Sequence, residues 1–282
     1  MNPIVVTGAA GMTGRAVLAA LAERGVAAAG LVRRAEQIPL AVAAGAGRAV
    51  AVDLTDRAAL ADAIDGAAAI YHIPPNMHPA EHELTRAVIE TAERRGVTRF
   101  VLHSVLAPYL PELPHHLRKA ESERALRRSS LVWTSLQPGW YAQNLLAQLL
   151  RARGEGVVAM PYSVSTPFTP VDLADVAQAA AIVLTEDGHG YASYELCGPD
   201  TLSTAEMAGI VGDLLGAPVR AERETVERWR RSAQARYPEG FEPMFAFYDR
   251  HGLAGNPRAL AMLLGRTPTD LRTVLARHLG EG

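Results

Sequence analysis

The chain of 282 residues has one cysteine, Cys197, so no internal disulfide can form and a reducing compartment is expected. No apolar stretch reaches the roughly 18 uninterrupted residues that a membrane span needs. The apolar run Pro3 to Val6 has no basic segment before it and breaks at Gly8, so it reads as a buried strand and not as a secretion signal. Cytoplasm is the compartment these absences imply. Twenty-eight basic residues against 30 acidic ones leave a formal charge of −2, and no Lys/Arg block is long enough to track a phosphate backbone. Nucleic acid and membrane are therefore excluded as expected partners. Internal repeats and low-complexity linkers are also missing. With 49% apolar side chains, the chain can build a full core, as one large domain or as a domain with a smaller lobe.

What is present begins at residue 7. The strand-like Pro3 to Val6 runs into Thr7-Gly8-Ala9-Ala10-Gly11-Met12-Thr13-Gly14 and then into a helical pattern, Arg15 to Arg24. A strand that turns through glycines into a helix brings backbone close to a pyrophosphate. The glycines remove Cβ atoms from the approach, and the helix N-terminus offers free N–H groups and the positive end of its dipole. A second strand, Val26 to Val32, follows on schedule, which supports dinucleotide binding over a turn whose glycines serve only helix-to-sheet packing.

The first half alternates short aliphatic runs with amphipathic segments. Strands are predicted at 3–7, 26–33, 48–52, 67–73, 98–104 and 131–137, and helices at 12–24, 79–95, 116–129 and 140–151. Such alternation requires parallel strands joined by right-handed crossovers, hence an α/β, doubly wound, Rossmann-type sheet. After residue 150 glycines and prolines break the rhythm. A helix at 173–184 and a strand at 191–196 come next, then helices at 205–215, 225–235, 257–264 and 269–279. The reading is a dinucleotide-binding domain over 1–150 and remaining sheet elements plus a smaller, mostly helical substrate lobe over 151–282, with a cleft at the carboxyl ends of the strands.

Cofactor choice is made at the end of the second strand. A free 2′-hydroxyl is usually met there by a carboxylate, whereas a 2′-phosphate needs a cation. Arg33 and Arg34 favour NADP(H), and Glu36 keeps NAD(H) open. Asp53, closing the third strand, is placed to accept from the adenine amino group or to cap the helix that begins near Asp56.

Several segments resemble one family. The glycine spacing, Asp53-Leu54-Thr55-Asp56, Phe100-Val101-Leu102-His103-Ser104, Leu131 to Tyr141 with Asn144, and Phe168 to Val176 together resemble the NmrA-like branch of the atypical short-chain dehydrogenases/reductases over nearly the whole chain. The resemblance implies a nucleotide lobe, usually for NADP(H), and a smaller lobe over the nicotinamide. That branch includes quinone and triphenylmethane reductases and also a nitrogen-regulation protein that binds dinucleotide without turnover. The implied cofactor contacts are Thr7, Gly8, Gly11, Met12, Thr13, Gly14, Arg33, Arg34, Asp53 and Leu54. Ile73, Pro74 and Asn76 line the pyrophosphate and nicotinamide ribose, and Ser104, Lys119, Pro138, Gly139 and Trp140 complete the set.

The parent superfamily uses a serine with Tyr-x-x-x-Lys, in which the tyrosine moves the substrate proton and the lysine lowers its pKa and binds the ribose. Ser104 and Lys119 match the serine and lysine, but the tyrosine position holds His115. A histidine one helical turn before the lysine could donate the proton as imidazolium, or it could sit solvated in the loop leading into the helix. Lys119 reads equally as a cofactor lysine and as a surface charge. The charges of that helix, Arg118, Lys119, Glu121, Glu123, Arg124, Arg127 and Arg128, make a poor hydrophobic dimer surface, so a monomer or weak homodimer is expected.

Two features remain. His78-Pro79-Ala80-Glu81-His82 spells an arrangement found in some zinc proteases, but it falls in a crossover of a dinucleotide sheet with Pro79 suited only to a first turn, so no metal is expected. Three of the five phenylalanines fall between Phe241 and Tyr248. Tyr141, Asn144, Phe241, Phe245 and Tyr248 are the candidate substrate wall, with lobe core as the other reading of the aromatic cluster. The expected function is an NADPH-dependent oxidoreductase acting on a small apolar carbonyl, quinone or conjugated acceptor. The alternatives are a non-catalytic dinucleotide sensor working through a protein partner and an epimerase or lyase use of the same site.

Overall fold

In the computed structural model, which describes residues 2–231 and 241–280, the short aliphatic runs are strands and the amphipathic segments are helices. The order is β1 (Ile4–Thr7), α1 (Met12–Glu23), β2 (Ala28–Val32), α2 (Ile38–Ala43), β3 (Arg48–Ala51), α3 (Arg57–Ala63), β4 (Ala69–His72), α4 (Glu81–Arg94), β5 (Arg99–His103), α5 (Pro114–Arg127) and β6 (Val132–Pro138). There follow α6 (Leu146–Glu155), β7 (Val157–Met160), α7 (Leu173–Thr185), β8 (Ala192–Leu196), α8 (Thr204–Leu215), β9 (Arg220–Arg223) and α9 (Val226–Arg231). The last helices are α10 (Glu242–His251), α11 (Arg258–Leu264) and α12 (Leu271–Gly280).

One sheet has the order β3-β2-β1-β4-β5-β6-β8, with every pair from β3 to β6 parallel. Strands β1, β2 and β4 are buried along their whole length, as strands covered on both faces must be. The core under them is mostly aliphatic: Val5, Leu31, Ile70 and Leu102 from the strands, with Phe100, meet Leu60, Val88 and Ile89 from α3 and α4. Each such side chain contributes about 1.5–3 kcal/mol on burial. The chain runs outward from β1 in one direction and from β4 in the other. The carboxyl ends of β1 and β4 thus form the switch point at which open α/β sheets bind ligands.

The chain divides into two units, and the division is not one cut at residue 150. The first comprises Met1–Tyr109, His115–Gln137 and Val176–Tyr194; the second comprises Leu110–Pro114, Pro138–Asp175 and Glu195–Gly282. The sheet unit reclaims 176–194 because β8 extends its sheet beyond β6. In the second unit β7 pairs in parallel with β9, a short ribbon that the charged Arg220–Arg223 did not announce in sequence. Its core is aromatic: Tyr162 lies 5.2 Å from Phe168 and 5.6 Å from Tyr248, ring centre to ring centre, and Trp229 lies 4.8 Å from Phe245. Cys197 is fully buried in this unit.

Most predicted spans differ from the observed ones by a residue or two. The helix expected at 140–151 is preceded by a 3-10 turn, Ala142–Leu145, and α6 starts only at Leu146. Of the helix expected at 225–235, α9 accounts for Val226–Arg231, and residues 232–235 lie outside the described residues. Among the described residues no helix is long and apolar enough to cross a membrane.

Candidate dinucleotide and catalytic site

The three glycines after β1 have three different reasons to be glycine. Gly8 has φ +63°, a backbone that side chains resist. At Gly14, in the first turn of α1, a Cβ would come within 2.3 Å of the Gly8 carbonyl oxygen and 2.7 Å of Ala9 Cα, so bare backbone is what lets the helix close onto the turn. Gly11 needs neither: its φ is −72°, and a Cβ there would meet only the Gly8 oxygen, at 3.3 Å. Gly11 is also the N-cap of α1, with no side-chain cap and no acidic residue in the first turn. The uncapped N-terminus, including Met12, Thr13 and Gly14, therefore presents donors and a positive dipole end without an internal anion. This is the cradle a pyrophosphate fits.

At the end of β2, Arg33, Arg34 and Glu36 are exposed, and neither guanidinium makes a salt bridge among the described residues. Asp53 is committed to its own turn: its Oδ1 accepts from the Thr55 backbone N–H at 2.9 Å and the Thr55 hydroxyl at 2.8 Å. These bonds hold its carboxyl below the usual carboxylate range. The helix cap is Asp56, which accepts from Ala58 and Ala59 N–H groups at 3.0 Å, so capping is not the task of Asp53. Leu54 is half-buried beside it.

Across the switch point runs a buried polar chain whose direction can be worked out. Thr85 donates its one hydroxyl proton to the Glu81 carbonyl at 2.9 Å, so at 3.2 Å from His72 Nε2 it can only accept. His72 therefore carries its proton on Nε2, and its Nδ1 accepts from the Thr7 hydroxyl at 2.8 Å. The Thr7 oxygen in turn accepts from the Ile73 backbone N–H at 2.9 Å. A neutral imidazole is what burial enforces, with the charge of Lys119 helping: His72 is pushed down to about 3. Thr7 is thus buried and strapped to the end of β4, and its hydroxyl holds the fold. After the strap, Pro74 is buried, Ile73 half-buried and Asn76 exposed.

The end of β5 repeats the pattern. His103 Nδ1 lies 2.7 Å from the Tyr71 hydroxyl, and burial followed by the Lys119 charge pushes this imidazole to about 3 as well. Beside it, Ser104 is held by its backbone N–H to the Leu136 carbonyl at 2.8 Å, while its buried hydroxyl has no hydrogen-bond partner among the described residues. Lys119 is not a surface lysine. Its Nζ sits 2.8 Å from Glu81 Oε1, with the two side chains 9% and 1% exposed. The ammonium lies off the line of a hydrogen bond, and neither Glu81 oxygen accepts an aligned one from any described residue.

Two expectations for α5 are corrected. The imidazolium of His115 is not available at neutral pH, because burial, then the charges of His116, Arg118 and Lys119, push its pKa to about 3. The seven charges assigned to an exposed helix face do not all lie there, since Lys119 and Glu123 point inward. Glu123 Oε1 accepts from Ser135 at 2.8 Å and Gln137 at 2.7 Å, and Oε2 accepts from Tyr109 at 3.1 Å. The zinc-protease lookalike also comes apart. His78 Nδ1 accepts from the Ala80 N–H, His82 faces Glu83 at 4.0 Å and Glu81 turns to Lys119.

In the second unit, Gly139 donates its N–H to the Leu196 carbonyl at 2.9 Å, just after Pro138 closes β6. The Trp140 carbonyl accepts from Val171 at 2.9 Å, Tyr141 bridges to the same residue, and Asn144 is exposed in the 3-10 turn. Phe241, Phe245 and Tyr248 are only 7%, 4% and 5% exposed. With their faces against one another and against Trp229, Tyr162 and Phe168, these rings take the core reading and not that of an open wall. Glu81 escaped the sequence reading of the site. Nothing local in the sequence signalled it: Lys119 is the chain's only lysine, but its inward turn toward a carboxylate belongs to the tertiary structure.

A protein-family model described as NAD(P)H-binding matches residues 8–187. The chain is 33% identical over 242 residues to the (4-alkanoyl-5-oxo-2,5-dihydrofuran-3-yl)methyl phosphate reductase of Streptomyces griseus, covering 83% of this chain and 82% of the relative. It is 31% identical over 229 residues to the NAD(P)H azoreductase of Xenophilus azovorans, covering 80% and 78%. The structure of the NADPH-dependent quinone oxidoreductase QOR2 of Escherichia coli, complexed with NADPH, matches with a TM-score of 0.85 at 27% identity, over 98% of this chain and 99% of that one. All three relatives are named as reductases or oxidoreductases. Strand order, glycine turn and these matches agree: the chain belongs to the NAD(P)H-binding family, and its relatives fit the NmrA-like branch that its motifs resemble.

Proposed function

We propose that this protein is an NADPH-dependent reductase that passes hydride to a small apolar carbonyl, quinone or conjugated acceptor. The observation that carries the reading is the orphaned, buried hydroxyl of Ser104, which directly follows His103, an imidazole that feels the charge of the buried Lys119. A protein that only stores a fold has no reason to leave such a donor unspent.

The residues fit the cofactor. The N-terminus of α1 under Gly11 would hold the pyrophosphate, and the exposed Arg33 and Arg34 would hold a 2′-phosphate in preference to a bare ribose. The NADPH of QOR2 supports that choice. Bound NADPH supplies the hydride. The chain supplies position: Ser104 O–H would donate a hydrogen bond to the acceptor oxygen, the Lys119 ammonium would hold the ribose and offset negative charge growing on that oxygen, and the proton that completes the reduced acceptor would come from solvent. His115, neutral, contributes at most an N–H. A monomer or weak dimer suffices, since no step needs a second copy.

The test is direct. Calorimetric titration should show NADPH binding at least about tenfold tighter than NADH, and NADPH should be oxidised in the presence of quinones, enones or azo compounds. Equal affinity for the two cofactors would remove the role of Arg33 and Arg34. Tight NADPH binding with inertness across the acceptor panel would favour a dinucleotide-binding regulator, the reading suggested by His115 in place of the tyrosine.

A further inference from the structure

The chain has one lysine against 27 arginines. Wherever a surface charge suffices, the position is arginine, and the single lysine is the buried one, Lys119. A guanidinium is a planar fork that stays protonated and needs partners in its plane; an ammonium is compact, donates in three directions and can release a proton. The site therefore asks for something arginine does not provide.

Several groups face Lys119. Glu81 comes from α4, His72 from the end of β4, His103 from the end of β5, and His115 and His116 from its own helix. Burial keeps all four imidazoles neutral, and Glu123, one turn along α5, spends its carboxylate on Ser135, Gln137 and Tyr109. Glu81 is thus the one carboxylate in ion-pair contact with Lys119 among the described residues. It is held at the N-terminus of α4, and its backbone carbonyl is fixed by the Thr85–His72–Thr7 chain from the glycine turn.

We propose that Glu81 is the positioning residue for Lys119: its carboxylate keeps the ammonium charged and aims it, so that cofactor contact and charge delivery by the lysine depend on a residue of the neighbouring helix. The proposal rests on the reading of Lys119 as the reductase lysine. A staple between α4 and α5 is the competing role, and it predicts lost stability without any change in what Lys119 does.

A sole lysine makes the test clean. In protein labelled with 13C-lysine, one set of side-chain resonances reports the charge of Lys119. In Glu81→Gln, those resonances should move away from their wild-type position at neutral pH, and kcat for NADPH turnover should fall at least about tenfold. Glu81→Asp keeps the charge one methylene shorter. It should leave the resonances near their wild-type position while kcat falls about tenfold and the KM for NADPH rises. Unmoved lysine resonances in a folded Glu81→Gln overturn the proposal. So does wild-type kcat in Glu81→Asp, which decides the matter if the glutamine variant does not fold. If the wild type shows no turnover with any acceptor, the reductase reading fails, while the lysine resonance still decides whether Glu81 governs Lys119.

Discussion

Glu123 and Glu81 are buried to the same degree and belong to neighbouring helices, yet the protein treats them differently. Glu123 receives hydrogen bonds from Ser135, Gln137 and Tyr109, with Arg127 at 3.8 Å, and is fully employed in joining α5 to β6. Glu81 has a lysine and, among the described residues, no aligned hydrogen bond. A buried charge whose partners are complete is explained by the fold, and one whose partners are incomplete waits for something else. Gly14 and Gly11 differ in degree, one required by packing at 2.3 Å and the other meeting only the Gly8 oxygen, at 3.3 Å.

Acid should act hardest on the Glu81 side. His72 and His103 are held near 3 against an ordinary value of 6.5, so the unfolded chain binds more protons than the native one between those limits. The stability this contributes is complete above pH 6.5 and is lost as pH falls toward 3, at about 1.4 kcal/mol per pH unit for each imidazole. Urea midpoints measured at stepped pH check it, and a flat profile across the window breaks the assignment of neutral, buried imidazoles.

Replacing Glu123 by Leu should come next, at about 3 kcal/mol, because Ser135 and Gln137 lose their acceptor. Turnover per folded molecule should stay at the wild-type level. Lost activity in a well-folded Glu123→Leu would erase the distinction between the two glutamates.

Gly14→Ala should destabilise by about 1–3 kcal/mol through overpacking onto the turn, whereas Gly11→Val should cost less, about 1 kcal/mol through its N-cap position and the tight approach to the Gly8 oxygen, and lose NADPH binding. Calorimetry on both decides whether Gly11 marks the phosphate cradle; normal binding in Gly11→Val moves that cradle elsewhere. The smallest stability effect belongs to the double variant Glu81→Gln with Lys119→Met. Removing both charges together should come within about 1 kcal/mol of the wild type, more stable than either single change, while turnover is abolished. Additive single effects would mean that the pair is not coupled.

The sheet was legible because strands buried on both faces must be written as aliphatic runs, and β1, β2 and β4 leave no other reading. Helix α10 was not, since Glu242-Pro-Met-Phe-Ala-Phe-Tyr advertises aromatic mass more loudly than helical period, though its proline sits in the first turn where helices accept it. The β7 and β9 ribbon depends on a partner 63 residues away, a pairing that local pattern does not encode. At the site, glycines and Arg33-Arg34 could be read because backbone and charge requirements are local. The charge state of His115 and the inward turn of Lys119 could not, because burial belongs to the tertiary structure. Glu81 was seen only through a lookalike motif, whose true partner lies 38 residues on in the next helix.

Cys197 offers a last consequence. Burial pushes its thiol up to about 11, so in the native state it is both inaccessible and protonated, and alkylating reagents should pass it by. Its modification then becomes a clock for the opening of the second unit, read by mass spectrometry without any added label. Because the sole thiol lies in one unit and the sole lysine in the other, each half of the molecule carries its own built-in chemical reporter, and the order in which the two halves come undone can be timed separately.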